Sequence, residues 1–199
     1  MLWEGDLVYQ MNLALQVHTN LLLVDLGCRI GVYSVWAAAV GRPVLAAESD
    51  PTYITLMQKT IRANGLDSYI TLLANSLSDS RQQATGPTQQ PVTKRGMDKF
   101  LVHSICLDDL TPLVAGIAVY LRMDARYGHP RVFSCASVFF RAVSVKIIQM
   151  EWVGHSGANR DLIAEIMTGY GYTMSTRSTV QTVENMKDSK DVFFLRTSS

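Results

Sequence analysis

The stretch from Leu21 to Val40 reads LLLVDLGCRIGVYSVWAAAV, an apolar run ending at Asp25, two glycines at 27 and 31, and an alanine-rich segment behind them. Glycine allows a backbone to approach a ligand closely, and the free N–H groups at a helix start favour negative charge. A hinge of this kind is a nucleotide-type site. Glu48 ends the next apolar run, 21 residues after Gly27, where a carboxylate can accept hydrogen bonds from ribose hydroxyls. The two features together suggest an adenosine-containing ligand. The glycine spacing lacks the third glycine of a dinucleotide fingerprint, and Asp25 just before the turn would repel a pyrophosphate. A nicotinamide-dependent oxidoreductase is therefore disfavoured, whereas a ligand with adenosine at one end and an ammonium group at the other suits Asp25.

Other candidate chemistry is weaker. Asp108 and Asp109 in CLDDL look like a paired acid, but neighbours on an extended segment point to opposite sides, and capping of a turn or helix is the better reading. His18, His103, His129 and His155 have no ligand-like spacing, so no metal site is expected. The three cysteines, Cys28, Cys106 and Cys135, are far apart and are expected to be buried free thiols. Glu151 ends an apolar run and either faces a ligand or is a solvated strand end.

The elements that must position these residues follow from the patterning. Apolar runs rich in β-branched residues alternate with helical segments, which predicts a mostly parallel sheet covered by helices. Strands are expected at 21–27, 44–49, 69–77, 119–125 and 145–152. Helices are expected at 31–40, in Asp50–Gly65 with Asp50 as N-cap and Pro51 at its first position, within 130–142, and at 158–171. YTMSTRS and DVFFLRT are expected to close the chain as an antiparallel hairpin. The polar segment from 78 to 104 interrupts the rhythm as a long loop or lid. The chain has 199 residues, 48 % hydrophobic and 18 % charged, enough for one sizeable core and short for two, so residues 1–199 are expected to form one domain. A net charge of +1, from 18 basic and 17 acidic residues, gives no footprint for nucleic acid or an anionic membrane. Met1 to Asn20 lacks the basic start and apolar centre of a signal peptide, and the chain as given is expected to be soluble, and cytoplasmic if it is the whole protein. Oligomeric state is not legible.

At the hinge the sequence resembles the class I S-adenosylmethionine-dependent methyltransferases, and within them the FkbM type. The resemblance rests on VDLGCRIGVYS, AAESDPTYITLMQKTIRANGL, ITLLANSLSD, LDDL, YLRMDARYG and IIQMEW, in that order, covering about Leu21 to Trp152. It implies a single Rossmann-like α/β domain with helices on both faces of a mostly parallel sheet, S-adenosyl-L-methionine as cofactor, and O-methylation of a hydroxyl on a small molecule or sugar. It also implies that Asp25, Gly27 and Gly31 surround the methionine end of the cofactor, that Glu48 takes the ribose hydroxyls, and that Ser76 and Leu77 lie beside the adenine. Tyr33 and Ser34 line the same pocket or, for Tyr33, simply pack. Asp124 would orient or deprotonate the acceptor hydroxyl, with His129 as a general base, or else would be a structural strand-end aspartate.

Two departures from the family pattern stand against this. Arg29 replaces an asparagine in the glycine loop; folded inward it would compete for Asp25, and turned outward it would be harmless. The segment Asp124-Ala125-Arg126-Tyr127-Gly128 lacks a glutamate and is one residue longer. These changes open the alternative of a degenerate domain that keeps the fold, binds the cofactor weakly or not at all, and acts as a binding module.

Overall fold

The structure, a computed structural model, describes residues 5–79, 83–84, 102–124, 130–153, 155–175 and 191–196. Nine strands form one sheet in the order β4-β5-β3-β2-β1-β6-β7-β9-β8. At its centre β1 (Leu21–Leu26) is buried along its whole length, with β2 (Val44–Glu48) and β6 (Ala118–Met123) parallel on either side. Outward lie β3 (Ile70–Leu77) beside β2 and β7 (Ser144–Glu151) beside β6, both parallel. Beyond β7 the sheet turns antiparallel, with β9 (Asp191–Arg196) on β7 and β8 (Tyr172–Ser175) on β9. The expected C-terminal hairpin is present, its later strand on the inner side.

Alternation along the strands sends successive side chains to opposite faces, and a separate core lies on each. Leu22, Val24 and Leu26 join the core under α4 (Thr111–Val114), α5 (Ser137–Ala142) and α6 (Gly157–Gly169). Leu21 and Leu23 join the core under α1 (Gly5–Val17), α2 (Val32–Ala39) and α3 (Pro51–Ala63). Asp25 continues the second set. On α3 the Asp50 carboxylate accepts from Thr52 N–H at 2.8 Å, and Ile54, Met57 and Ile61, spaced for one helical face, are buried. α2 buries Ala37 and Ala38, whose small side chains let it sit close on the sheet. Arg42, in the turn after α2, donates to Leu15 O and Thr19 O and so ties down the end of α1.

The structure differs from the sequence expectations in three places. α1 was not anticipated, since its polar and apolar residues give a weak stripe. The expected loop at 78–104 contains strands: β4 (Gln83–Ala84) pairs with β5 (Val102–Ile105), and β5 extends the parallel sheet beside β3. Residues 85–101 lie outside the described residues. Cys106 and Cys135 are not free thiols but form a disulfide with Cα atoms 5.4 Å apart. It joins the 3₁₀ turn Leu107–Leu110 to the 3₁₀ helix Pro130–Cys135. Their 29-residue separation hid the pairing, because sequence spacing does not report which segments a fold brings together. Cys28 is free and buried, as expected.

Candidate functional site

The ends of β1, β2 and β6 form one crest, and the loop from Gly27 to Gly31 follows β1 there. Gly27 N–H and Cys28 N–H both donate to Ala47 O, at 2.9 and 3.2 Å, and Asp124 N–H donates to Leu26 O at 2.9 Å. The ends of β1, β2 and β6 are thus held together. The loop needs left-handed backbone at Gly27 (φ 81°), Arg29 (φ 50°) and Gly31 (φ 84°), which glycine adopts freely and arginine does not. Gly31 is doubly constrained, because a Cβ there would overlap Met57 Sδ. The two glycines singled out in the sequence therefore fix the loop's path.

The candidate carboxylates are all buried and all have partners within the chain. Asp25, 0 % exposed, accepts from Ser34 Oγ at 2.6 Å and faces Arg122 Nη1 at 3.4 Å. Burial pushes its carboxyl above the ordinary range, with Arg122 and the Ser34 hydroxyl opposing that rise. For Arg122, burial works against the charge, but Asp25 foremost, then Tyr33, Asp124 and Asp191, outweigh it and hold the guanidinium firmly protonated. The same Nη1 donates to Gly27 O at 3.0 Å, and the guanidinium lies 4.6 Å from the centre of the Tyr33 ring. Tyr33 is thus a packing residue beneath the loop. Ser34 is buried and spends its hydroxyl proton on Asp25.

Glu48 accepts three backbone N–H bonds, from Arg29 to Oε2 at 2.9 Å and from Ser49 and Asp50 to Oε1 at 2.8 and 2.9 Å. An ionised carboxylate has about four acceptor sites, so one remains for a hydroxyl. Arg29 neither competes for Asp25 nor turns to solvent. Its Nε lies 2.9 Å from Asp124 Oδ2, with the Arg29 side chain 38 % exposed and that of Asp124 1 %. Ser76 and Leu77 sit half-buried at the carboxyl end of β3, two strands from β1. His129 and the segment 125–128 lie outside the described residues.

Sequence reasoning missed a second polar group beneath the crest. Asp25, Arg122 and Gln149 are register partners across β1, β6 and β7 and so share a face. Gln149 accepts from Tyr120 OH at 2.8 Å and donates to Asp191 Oδ2 at 2.7 Å and to Tyr33 OH at 3.4 Å. The signal was available as a charged or amide residue among the apolar residues of each of two strands, in LRM and IQM, at positions that buried strands usually leave apolar. Asp108 and Asp109 are caps, as read: Asp108 Oδ1 accepts from Phe139 N–H at the start of α5, and Asp109 Oδ2 from Cys106 N–H. Burial pushes the Cys28 thiol up, with Asp25 and Glu48 adding to the rise, the opposite of what an activated thiolate needs. Among the described residues no group of three His, Cys, Asp or Glu side chains could hold a metal ion, and no helix is long and apolar enough to cross a membrane.

A glycine loop over the carboxyl ends of parallel strands 3-2-1-6-7, closed by an antiparallel pair, has counterparts among solved structures. The FkbM methyltransferase of Methylobacillus flagellatus superposes with a TM-score of 0.59 at 14 % identity over 88 % of this chain. This chain spans 43 % of the length of that protein. The fold is that of the class I methyltransferases. A magnesium protoporphyrin IX methyltransferase from Synechocystis, solved with bound S-adenosylmethionine, matches with a TM-score of 0.56 at 14 % identity, over 96 % of this chain and 79 % of that one. An rRNA methylase from Streptococcus thermophilus matches with 0.56 at 11 % identity, over 100 % and 99 %. At such identities the likeness is one of fold. No protein-family model matches the sequence, and no curated protein does.

Against an S-adenosylmethionine-sized ligand the crest can be tested by charge. Three carboxylates, Asp25, Glu48 and Asp124, face two guanidinium groups, Arg29 and Arg122, which leaves one formal negative charge. The cofactor, with a sulfonium, an ammonium and a carboxylate, carries one net positive charge. The residues fit the group in sign and in donor chemistry.

Proposed function

We propose that the chain binds S-adenosyl-L-methionine at the β1–α2 hinge and transfers its methyl group to a hydroxyl oxygen on a small molecule or sugar. The observation that carries this reading is the pair of carboxylates, Asp25 and Glu48, buried at the carboxyl ends of adjacent parallel strands under a left-handed glycine loop. Ligands of open α/β sheets bind at such strand ends. When bound, the cofactor supplies a methyl group on a sulfonium, already electrophilic, so the chain's task is to hold an acceptor in line and to receive its proton. Glu48 would bind the ribose through its remaining acceptor site. Ser76 and Leu77 would flank the adenine. Asp124 would orient the acceptor hydroxyl or take its proton, a task for which Arg29 must first release Oδ2. Calorimetric titration with S-adenosylmethionine and its demethylated product tests the site. The wild type should bind both and Glu48→Ala should bind at least tenfold more weakly, on the scale of a charged hydrogen bond; equal binding by the variant refutes the assignment of Glu48.

A second reading has its own observation. Asp25 and Asp124 already carry internal cations, as expected of a domain that keeps the architecture without the reaction. Methyl-labelled cofactor incubated with a panel of hydroxyl-bearing acceptors separates the two. Label transferred to any acceptor supports the enzyme; cofactor bound without transfer across the panel supports the binding module.

A further inference from the structure

The two arginines of the crest are built differently. Arg122 is held on three sides, by Asp25, by Gly27 O and by the Tyr33 ring, and its side chain is 7 % exposed. It is a fixed part of the loop. Arg29 is fixed only in its backbone, where its N–H donates to Glu48 and its φ is 50°. Its guanidinium rests on Asp124 through Nε, with more than a third of the side chain in solvent. Asp124 is 1 % exposed, so a guanidinium lifted off it leaves a buried carboxylate that a second cation can take up. A bulky L-residue at positive φ is an outlier that costs folding energy and marks a position with a task.

We propose that Arg29 is a charge selector: seated on Asp124 at the mouth of the hinge, it disfavours a sulfonium-bearing ligand relative to the neutral thioether that remains after methyl transfer. This rests on the cofactor assignment above. A cation lying on Asp124 raises the local potential where β1 and β6 end. A ligand whose sulfur is positive has to displace Arg29 or share the site with it, and like charges at short range in a partly dry crest repel. A thioether meets no such repulsion. Arg29 therefore sets how well the donor competes with the spent thioether for the site.

The test is calorimetry on the full chain with S-adenosylmethionine and S-adenosylhomocysteine, for the wild type, Arg29→Asn, Arg29→Gln and Arg29→Lys. The readout is the ratio of the two Kd values, donor over thioether. It should fall by about fivefold in the two neutral variants, the scale of a screened like-charge interaction, and stay at the wild-type value in Arg29→Lys, which keeps the charge. Two neutral replacements guard against one of them failing to fold, and far-UV circular dichroism checks each. An unchanged ratio in a folded neutral variant overturns the proposal. So does an equal loss of both affinities, which marks Arg29 as a loop-positioning residue, or a fall in Arg29→Lys as large as in Arg29→Asn. Failure of the wild type to bind either compound overturns the cofactor assignment, and the selector with it.

Discussion

Replacing Arg122 by methionine should be among the most destabilising single changes in the molecule. Methionine fills similar space without charge, so the variant deletes the cation opposite Asp25 while largely preserving packing. What remains is a carboxylate, 0 % exposed, whose hydrogen-bond partner among the described residues is the Ser34 hydroxyl at 2.6 Å. Removing one member of a buried pair costs about 3–5 kcal/mol. In a chain of this size each kcal/mol moves the melting temperature by about 2–4 °C, so the midpoint should drop by about 6–20 °C. Replacing both members, Asp25→Asn with Arg122→Met, should recover at least half of that loss, because the uncompensated charge is gone.

Acidity gives an independent check on the same pair. The Asp25 pKa is raised above its unfolded value of 3.8, so its stabilising contribution is full below that value and is lost as pH rises through the folded pKa. Without Arg122, which lowers the folded pKa, this window extends upward. The penalty of Arg122→Met should therefore shrink as pH falls from 8 to 5. Thermal and urea unfolding across that range measure it. A penalty below about 1 kcal/mol at pH 8, or a double variant no better than the single one, would refute a structural role for this ion pair.

Three further outcomes follow from other parts of the molecule. Gly31→Ala must place a Cβ on left-handed backbone against Met57 Sδ, and should cost about 2 kcal/mol or more in urea unfolding, the left-handed penalty alone being about 1–2; a near-neutral change would mean that the loop is not held as described. Thiol titration of the denatured, unreduced protein should find one thiol per chain, that of Cys28, since Cys106 and Cys135 are joined; three thiols would exclude the bond. Asp108→Ala removes the acceptor for Phe139 N–H and should cost about 1 kcal/mol, as loss of a helix cap does, with no change in cofactor affinity.

Periodicity and punctuation carried most of the architecture. β1, β2 and α3 were legible because a buried parallel strand is continuously apolar and because Asp50, Pro51 and Gly65 bracket a helix by local chemistry alone. α1 was lost because its weakly amphipathic face is buried only once α2 is beside it. β4 and β5 were lost because their pairing is with β3 and with each other, an association that no local pattern announces. At the site, Asp25, Gly27, Gly31 and Glu48 were found as a set, since glycine turns and strand-end acids are local features. Arg122 and Gln149 were not found, because their partners lie 97 residues away at Asp25 and 42 residues away at Asp191. Arg29 was flagged, but its partner was not foreseen: choosing between Asp25 and Asp124 needs the geometry of two strand ends.

The position of β9 between β7 and β8 has a bearing on how the chain comes off the ribosome. Ile147, Ile148 and Met150 on β7 are covered on one side by β6, while their other neighbour is β9, made of residues 191–196. Until those residues have been synthesised, β7 ends the sheet as an open apolar edge, and β8, already translated, has only β9 to pair with. Unpaired apolar edges recruit other chains. Assembly of this half of the sheet therefore waits on residues 191–196. A chain stopping before Asp191 has its greatest exposure to aggregation there, far in sequence from the hinge between Asp25 and Glu48.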